Sequence, residues 1–351
     1  PGAVELGKLP KAAPDFLGRT NELARLDAAW TDATGTDLLV LVAPGGTGKS
    51  SLVRRWLDCV KREHWRGAQQ VFGWSFYSQG SDDDRQASEE PFFAAAHTFF
   101  SLPLADTASV HDKAAALVKA MRARRTLLIL DGLEPLQYPP GPMGGQLKAK
   151  GIEALLQALI DSGHPGLCVV MTREALTDLA GHVRTADSPH GSVQQIDLGN
   201  LCAADGARLL HKLGVTRAGA AEIGSDDDEL RKASEAVQGH ALTLRILGLY
   251  LRNACHGDVR RLKEVDFAAA DRRYQPKPDR TYGHAFAAMR AYADWLAGGN
   301  ADNRRQLAVL TLLGLFDRPA TPDCLRALRE PPIPGLTDGL AGIGDGEWNL
   351  L

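Results

Sequence analysis

The residues best suited to chemistry in this chain are those of APGGTGKSS at 43–51. Backbone N–H groups of Gly45, Gly46, Thr47, Gly48 and Lys49 can cradle a phosphate, and a helix starting there adds the positive end of its dipole. Lys49 then reaches β- and γ-phosphate oxygens, and Ser50 offers its hydroxyl to Mg²⁺. Ala43 stands where the common form of such a loop begins with Gly, a place alanine fills if its φ is negative. An acidic residue at the end of an apolar strand completes a site of this kind. TLLILDGLEP at 126–135 puts Asp131 there as the partner of a Mg²⁺-bound water, with Glu134 close enough to position or deprotonate an attacking water. LCVVMTR at 167–173 delivers Thr172 and Arg173 to another strand end, where open sheets collect ligands, and the guanidinium can contact a γ-phosphate. Ser78 and Gln79 hold a similar place after VFGWSFY at 71–77, although an ordinary turn explains them equally well.

Positioning these groups requires strands that end where helices begin. DLLVLVA before the glycine-rich loop, VFGWSFY, TLLILDG, GLCVVMT and VQQIDLG are short apolar runs separated by helical patterns. That alternation predicts an α/β fold with a five-stranded, mostly parallel sheet and helices on both faces. NELARLDAAW predicts a helix through Leu23, Leu26 and Trp30, and a basic amphipathic helix with Lys113, Lys119, Arg122 and Arg124 precedes the third strand. EPLQYPPGPMGGQLKAK, by contrast, predicts a loop of about fifteen residues, long enough to suggest function or disorder. After Leu198 the strand signal disappears. The expected organisation is an extended lead-in at 1–16, a nucleotide-binding domain at 17–198, a helical domain at 199–275, and a linker with a winged-helix segment at 276–351, truncated at its end.

Composition narrows the partners. Lys and Arg total 40 against 43 Asp and Glu, a net charge of -3 that argues against a nucleic-acid coat. Five scattered cysteines without a CxxC pair fit a reducing, cytoplasmic setting. No run approaches the roughly 18 apolar residues of a membrane span. A start at Pro1 and the ending GDGEWNLL read as a piece of a longer protein.

The order of motifs resembles the nucleotide-binding core of STAND-class P-loop NTPases, the NB-ARC and NACHT-like modules of signalling and defence proteins. FLGR at 16–19, APGGTGKSS, VFGWSFYSQG, LLILDGLEP, VVMTR and GHALTLRILGLYL follow in that family's order. The resemblance implies an ASCE-type P-loop fold binding ATP or ADP with Mg²⁺. Its nucleotide contacts would be Gly18, Arg19, Pro44, Gly45, Gly46, Thr47, Gly48, Lys49, Ser50, Ser51, Arg173, His240 and Ala241. Ser50 and Asp131 would hold the metal, and Lys49, Asp131, Glu134 and Arg173 would act in slow hydrolysis. Ala241 replaces the family's proline in the GHAL segment, and the acidic pair common in plant and animal members is reduced to Asp131 followed by Gly132. The resemblance further implies nucleotide-controlled self-association, effector and sensor domains on the same longer chain, and a protein or ligand trigger.

Two rival readings differ in class. An AAA+-like ATPase machine shares the loop and the arginine-tipped strand, whereas a nucleotide-regulated DNA-binding transcription regulator would use the winged helix, against a terminal segment of mixed charge. His64, His97 and His111 lack metal-ligand spacing and read as packing or surface residues. Trp74, Phe76 and Phe92 read as core or strand-edge residues, and the acidic runs SDDDRQ and SDDDEL as solvated loops.

Overall fold

A computed structural model describes residues 2–31, 35–78, 88–103, 108–219, 223–274, 280–316, 320, 322–344 and 348. The chain divides into two compact units, Pro1–Gly199 and Asn200–Leu351. Gln79 and the SDDDRQ run lie outside the described residues.

The first unit is built on six strands: β1 (Ala3–Glu5), β2 (Leu38–Val42), β3 (Gln70–Ser75), β4 (Thr126–Asp131), β5 (Leu167–Thr172) and β6 (Val193–Asp197). Their order across the sheet is β1-β3-β4-β5-β2-β6, and every pairing is parallel. The expected count of five is therefore corrected to six. The additional strand comes from the supposed lead-in, where Ala3, Val4 and Glu5 pair in register with Gln70, Val71 and Phe72. Three residues at a sheet edge need no apolar run of their own, because the backbone ladder holds them.

Residue parity shows how the sheet is covered. Leu38, Val40, Phe72, Trp74, Leu128, Leu130, Cys168 and Val170 face one side, packed with side chains of α3 (Glu90–Phe99), α4 (Val110–Ala123) and α5 (Lys150–Ser162). Leu39, Leu41, Val71, Leu127, Ile129, Val169 and Met171 face the other, against α1 (Thr20–Thr31) and α2 (Lys49–Arg62). Strict period-two alternation with both faces apolar is what a buried parallel strand requires, and it explains why these strands read as continuous hydrophobic runs. Trp74, Phe76 and Phe92 are buried in the first of these cores, with Phe92 ringed by Phe72, Trp74, Phe76 and Phe93 at centroid distances of 5.1–6.3 Å. His97 is buried as well, its Nε2–H donating to Lys113 O at 3.1 Å. Lys113, one of the basic residues of the amphipathic helix α4, does not lie on an exposed face. It is buried and meets Glu90 Oε2 at 2.7 Å, joining α4 to α3.

The second unit is helical: α6 (Ala203–Lys212), α7 (Asp228–Ala236), α8 (Ala241–Ala254), α9 (Phe267–Tyr274), α10 (Arg280–Gly298), α11 (Ala301–Leu313) and α12 (Pro322–Arg329). Within it α6 packs on α7 and α8, and α10 packs on α8, α9 and α11. Among the described residues from 280 onward there are helices and turns and no strand, so the expected winged helix has no wing there. No helix among the described residues is long and apolar enough to cross a membrane.

Candidate functional site

The strand order sets the site before any side chain is considered. β5 lies between β2, which runs into the glycine-rich loop, and β4, which ends at Asp131. Ala43 N–H donates to Thr172 O at 3.2 Å, and Gly132 N–H donates to Met171 O at 3.0 Å. The three strand ends are thus stitched together just beyond the ladder, and the residues that follow them converge on one edge of the sheet.

The loop itself turns on glycine geometry. Gly46 and Gly48 have φ of 78° and 104°, a left-handed region costly for other residues, and Gly48 is the N-cap from which α2 starts at Lys49. Ala43 keeps a φ outside that region, so alanine is accommodated where the common motif has glycine. Thr47 is buried and its Oγ1 donates to Pro44 O at 2.8 Å, closing the loop on itself. Lys49 Nζ donates back to Ala43 O at 2.5 Å and Pro44 O at 3.2 Å. Burial lowers the affinity of this amine for its proton, Arg173 acts in the same direction, and Glu134 and Asp131 oppose both.

Ser50 Oγ donates to Asp131 Oδ1 at 3.0 Å. Asp131 is buried, and burial pushes its carboxyl up to about 6, with the Ser50 bond and Lys49 pulling down and Glu134 pushing up. A hydroxyl and a carboxylate oxygen brought together beside a phosphate-binding loop form the oxygen donor set that a hard cation such as Mg²⁺ takes.

Glu134 sits in the short turn that follows β4. Tyr77 donates its phenolic hydrogen to Glu134 Oε2 at 2.9 Å, while Arg173 Nε lies 3.6 Å from Glu134 Oε1. The Arg173 guanidinium also stands 5.8 Å from the Tyr77 ring centroid. Burial, then the Glu134 charge, raises the Tyr77 phenol far above its ordinary value, so it remains a donor across the physiological range. Tyr77 was not among the sequence candidates. The available signal was its place one residue before Ser78, at the sheet edge where β4 and β5 also end.

On the other side of the loop, Arg19 has φ 66° after Gly18 at 69°, and its buried guanidinium bridges Glu22 Oε1 at 2.9 Å and Thr47 O at 3.2 Å. Ala13 N–H reaches Ser51 Oγ at 3.4 Å. The structure therefore brings Arg19, Pro44, Thr47, Lys49, Ser50, Asp131, Glu134 and Arg173 into one connected set. His240 and Ala241 belong to the second unit, where they open α8, and His240 is buried with Nδ1 2.8 Å from Thr243 Oγ1.

A parallel sheet with a glycine loop entering a helix, and an acidic strand end beside it, defines a P-loop nucleotide-binding domain. Residues 15–171 match the family model described as the AAA ATPase domain. The first unit thus carries an AAA-type, ATP/ADP-binding ATPase domain, consistent with nucleoside-triphosphate hydrolysis. That match favours the AAA+-like reading over the STAND-class one. No curated protein matches significantly. Among solved structures, an Aeropyrum pernix ORC1 protein in complex with DNA is 17% identical, covering 90% of this chain and 78% of that one at a TM-score of 0.40. An Aeropyrum pernix ORC2 protein in ADPNP–ADP complexes is 13% identical, covering 99% and 86% at 0.39. At those scores neither likeness bears on function.

Proposed function

We propose that the first unit is a slow, Mg²⁺-dependent ATPase in which Lys49 and the loop amides hold the β- and γ-phosphates. Ser50 and Asp131 would hold Mg²⁺, which supplies Lewis-acid stabilisation of phosphate charge when bound. Glu134 takes the proton of the attacking water, and Arg173 balances charge on the γ-phosphate. The observation that carries this reading is the 3.0 Å bond between Ser50 and Asp131, which pairs two oxygen donors next to the helix N-terminus. Slow turnover is supported by the engagement of both Glu134 oxygens, one by Tyr77 and the other by Arg173.

Titration of ATP into wild-type protein and Lys49→Ala by calorimetry tests it. We expect affinity to fall at least tenfold in the variant, and equal affinity sinks the proposed site.

The finer form of the reading is a STAND-like switch, in which ATP in place of ADP promotes self-association and signalling through domains on a longer chain. It is supported by the sequence order of FLGR, the glycine loop, VVMTR and GHAL, with Gly18, Gly45, Gly46, Gly48 and Ser51 as further nucleotide contacts. Sedimentation velocity in ATP and in ADP tests it, and one molecular mass in both nucleotides rejects it.

A further inference from the structure

We propose that Gln137 is a positioning residue that sets Arg173 for the γ-phosphate and ties it to the exposed loop at 138–146, making that loop a regulatory lever on hydrolysis. This rests on the proposed ATPase reading. The loop is the Pro- and Gly-rich segment between β4 and α5, and its ordering is local. Gln137 pairs with Leu147 as an antiparallel bridge, Tyr138 N–H donates to Gln146 O at 2.8 Å, and Gly145 N–H donates to Tyr138 O at 3.2 Å. The tip, residues 139–143, is exposed, with Met143 at 49%.

Beneath the tip lies one buried carboxamide. Gln137 Nε2 donates to Gly145 O at 2.9 Å and to Glu174 O at 3.2 Å, while its Oε1 accepts from Thr172 Oγ1 at 2.5 Å. Thr172 and Glu174 are the two chain neighbours of Arg173, so a single side chain holds the hydroxyl of the residue before the arginine and the backbone carbonyl of the residue after it, and holds the loop as well. Gln137 also follows Glu134 by one turn, its N–H donating to Glu134 O at 3.1 Å. Glu134 in turn is the carboxylate beside Arg173.

The arrangement does not tolerate slack. Gln137 is 3% exposed, and a buried amide that loses its partners leaves carbonyls and a hydroxyl unpaired. The loop approaches the segment after β5 closely: a Cβ on Gly145, whose φ is 82°, would fall 2.3 Å from Ala175 O. Anything that moves the tip must therefore move the acceptor at Gly145 relative to Gln137, and a displaced Gln137 loosens Thr172 and Glu174 together.

Two substitutions address this from opposite ends. Gln137→Glu keeps the side chain's size but turns an acceptor toward the Gly145 and Glu174 carbonyls, and Gly145→Ala leaves Gln137 intact while forcing the loop off Ala175. The full chain, carrying each change alone and Gln137→Glu together with Arg173→Ala, is measured for kcat, KM and the separate affinities of ATP and ADP, with thermal unfolding to confirm folding. We expect either single change to lower kcat about tenfold and to reduce the preference for ATP over ADP at least threefold, with ADP affinity within about twofold of wild type. Gln137→Glu should add no further loss once Arg173 is alanine. Should Gln137→Glu fail to fold, Gly145→Ala decides. Additive losses, or a folded variant with unchanged kcat and unchanged ATP preference, overturn the inference. Equal ATP affinity of wild type and Lys49→Ala would instead overturn the ATPase reading on which it rests.

Discussion

The hydroxyl of Tyr77 donates to Glu134 Oε2 at 2.9 Å, which puts the nominal base for water activation in the grip of a residue from a different strand end. A hydrogen bond donated to a carboxylate stabilises its charged form and lowers its basicity, so on the proposed reading the bond would restrain turnover. Tyr77→Phe removes the hydroxyl and keeps the ring. Hydrogen bonds to charged groups contribute about 1.5–3 kcal/mol, part of which is returned by solvent when the bond is lost. The expected result is a rise in basal kcat of about two- to tenfold with ATP affinity unchanged, read by steady-state phosphate release. A fall in kcat would mean that Tyr77 orients Glu134 for catalysis.

Glu134→Gln tests the base itself. A positioned general base contributes typically about 10²–10⁴ in rate, and glutamine retains the shape and can still accept from Tyr77. We expect phosphate release to fall at least about a hundredfold while ATP binding by calorimetry stays within a few fold. Equal losses of binding and turnover would place Glu134 in nucleotide binding and not in the chemical step.

Gly132, directly after Asp131, has φ 71°, and a Cβ there would meet the Tyr77 ring carbons at 2.3 and 2.4 Å. Gly132→Ala therefore combines a left-handed backbone cost with overpacking, together about 2–4 kcal/mol of lost stability. Urea unfolding measures this, and adding Tyr77→Ala to the same chain should recover the overpacking part. If the double variant is as unstable as the sum of the two single changes, the ring is not the obstacle.

Much of this site was legible because parallel strands buried on both faces leave continuous apolar runs, and because a phosphate loop needs its glycines, lysine and serine at fixed spacing. Lys49, Ser50, Asp131, Glu134 and Arg173 all follow from strand ends read in one dimension. Tyr77 and Gln137 did not, for their roles depend on which strand ends become neighbours. With β5 inserted between β2 and β4, Thr172 comes under Gln137, and no periodicity announces that. β1 was missed because AVE at an edge is held by its ladder with β3 rather than by apolar content. Lys113 stood in the sequence only as one of four basic residues on an amphipathic helix, because its pairing with Glu90 is revealed by packing alone.

Asp131 links the site to stability through protons. Its carboxyl titrates at about 6 in the fold, mainly because burial penalises the charged form, against 3.8 as an ordinary aspartate. Between those values the folded state binds more protons than the unfolded one, so the slope of unfolding free energy with pH is negative. The contribution is thus favourable below pH 4, declines as pH rises toward 6, and is fully lost above it. Asp131→Asn keeps an acceptor for Ser50 without the buried charge. In the absence of metal and nucleotide, the variant should be more stable than wild type by about 1–3 kcal/mol at pH 7.5 and show little difference at pH 4. Urea unfolding across pH 4 to 7.5 reads the effect directly. A stability difference that stays constant over that window would show that Asp131 is not the titrating group, whereas convergence at low pH assigns the cost to the buried Asp131 carboxylate.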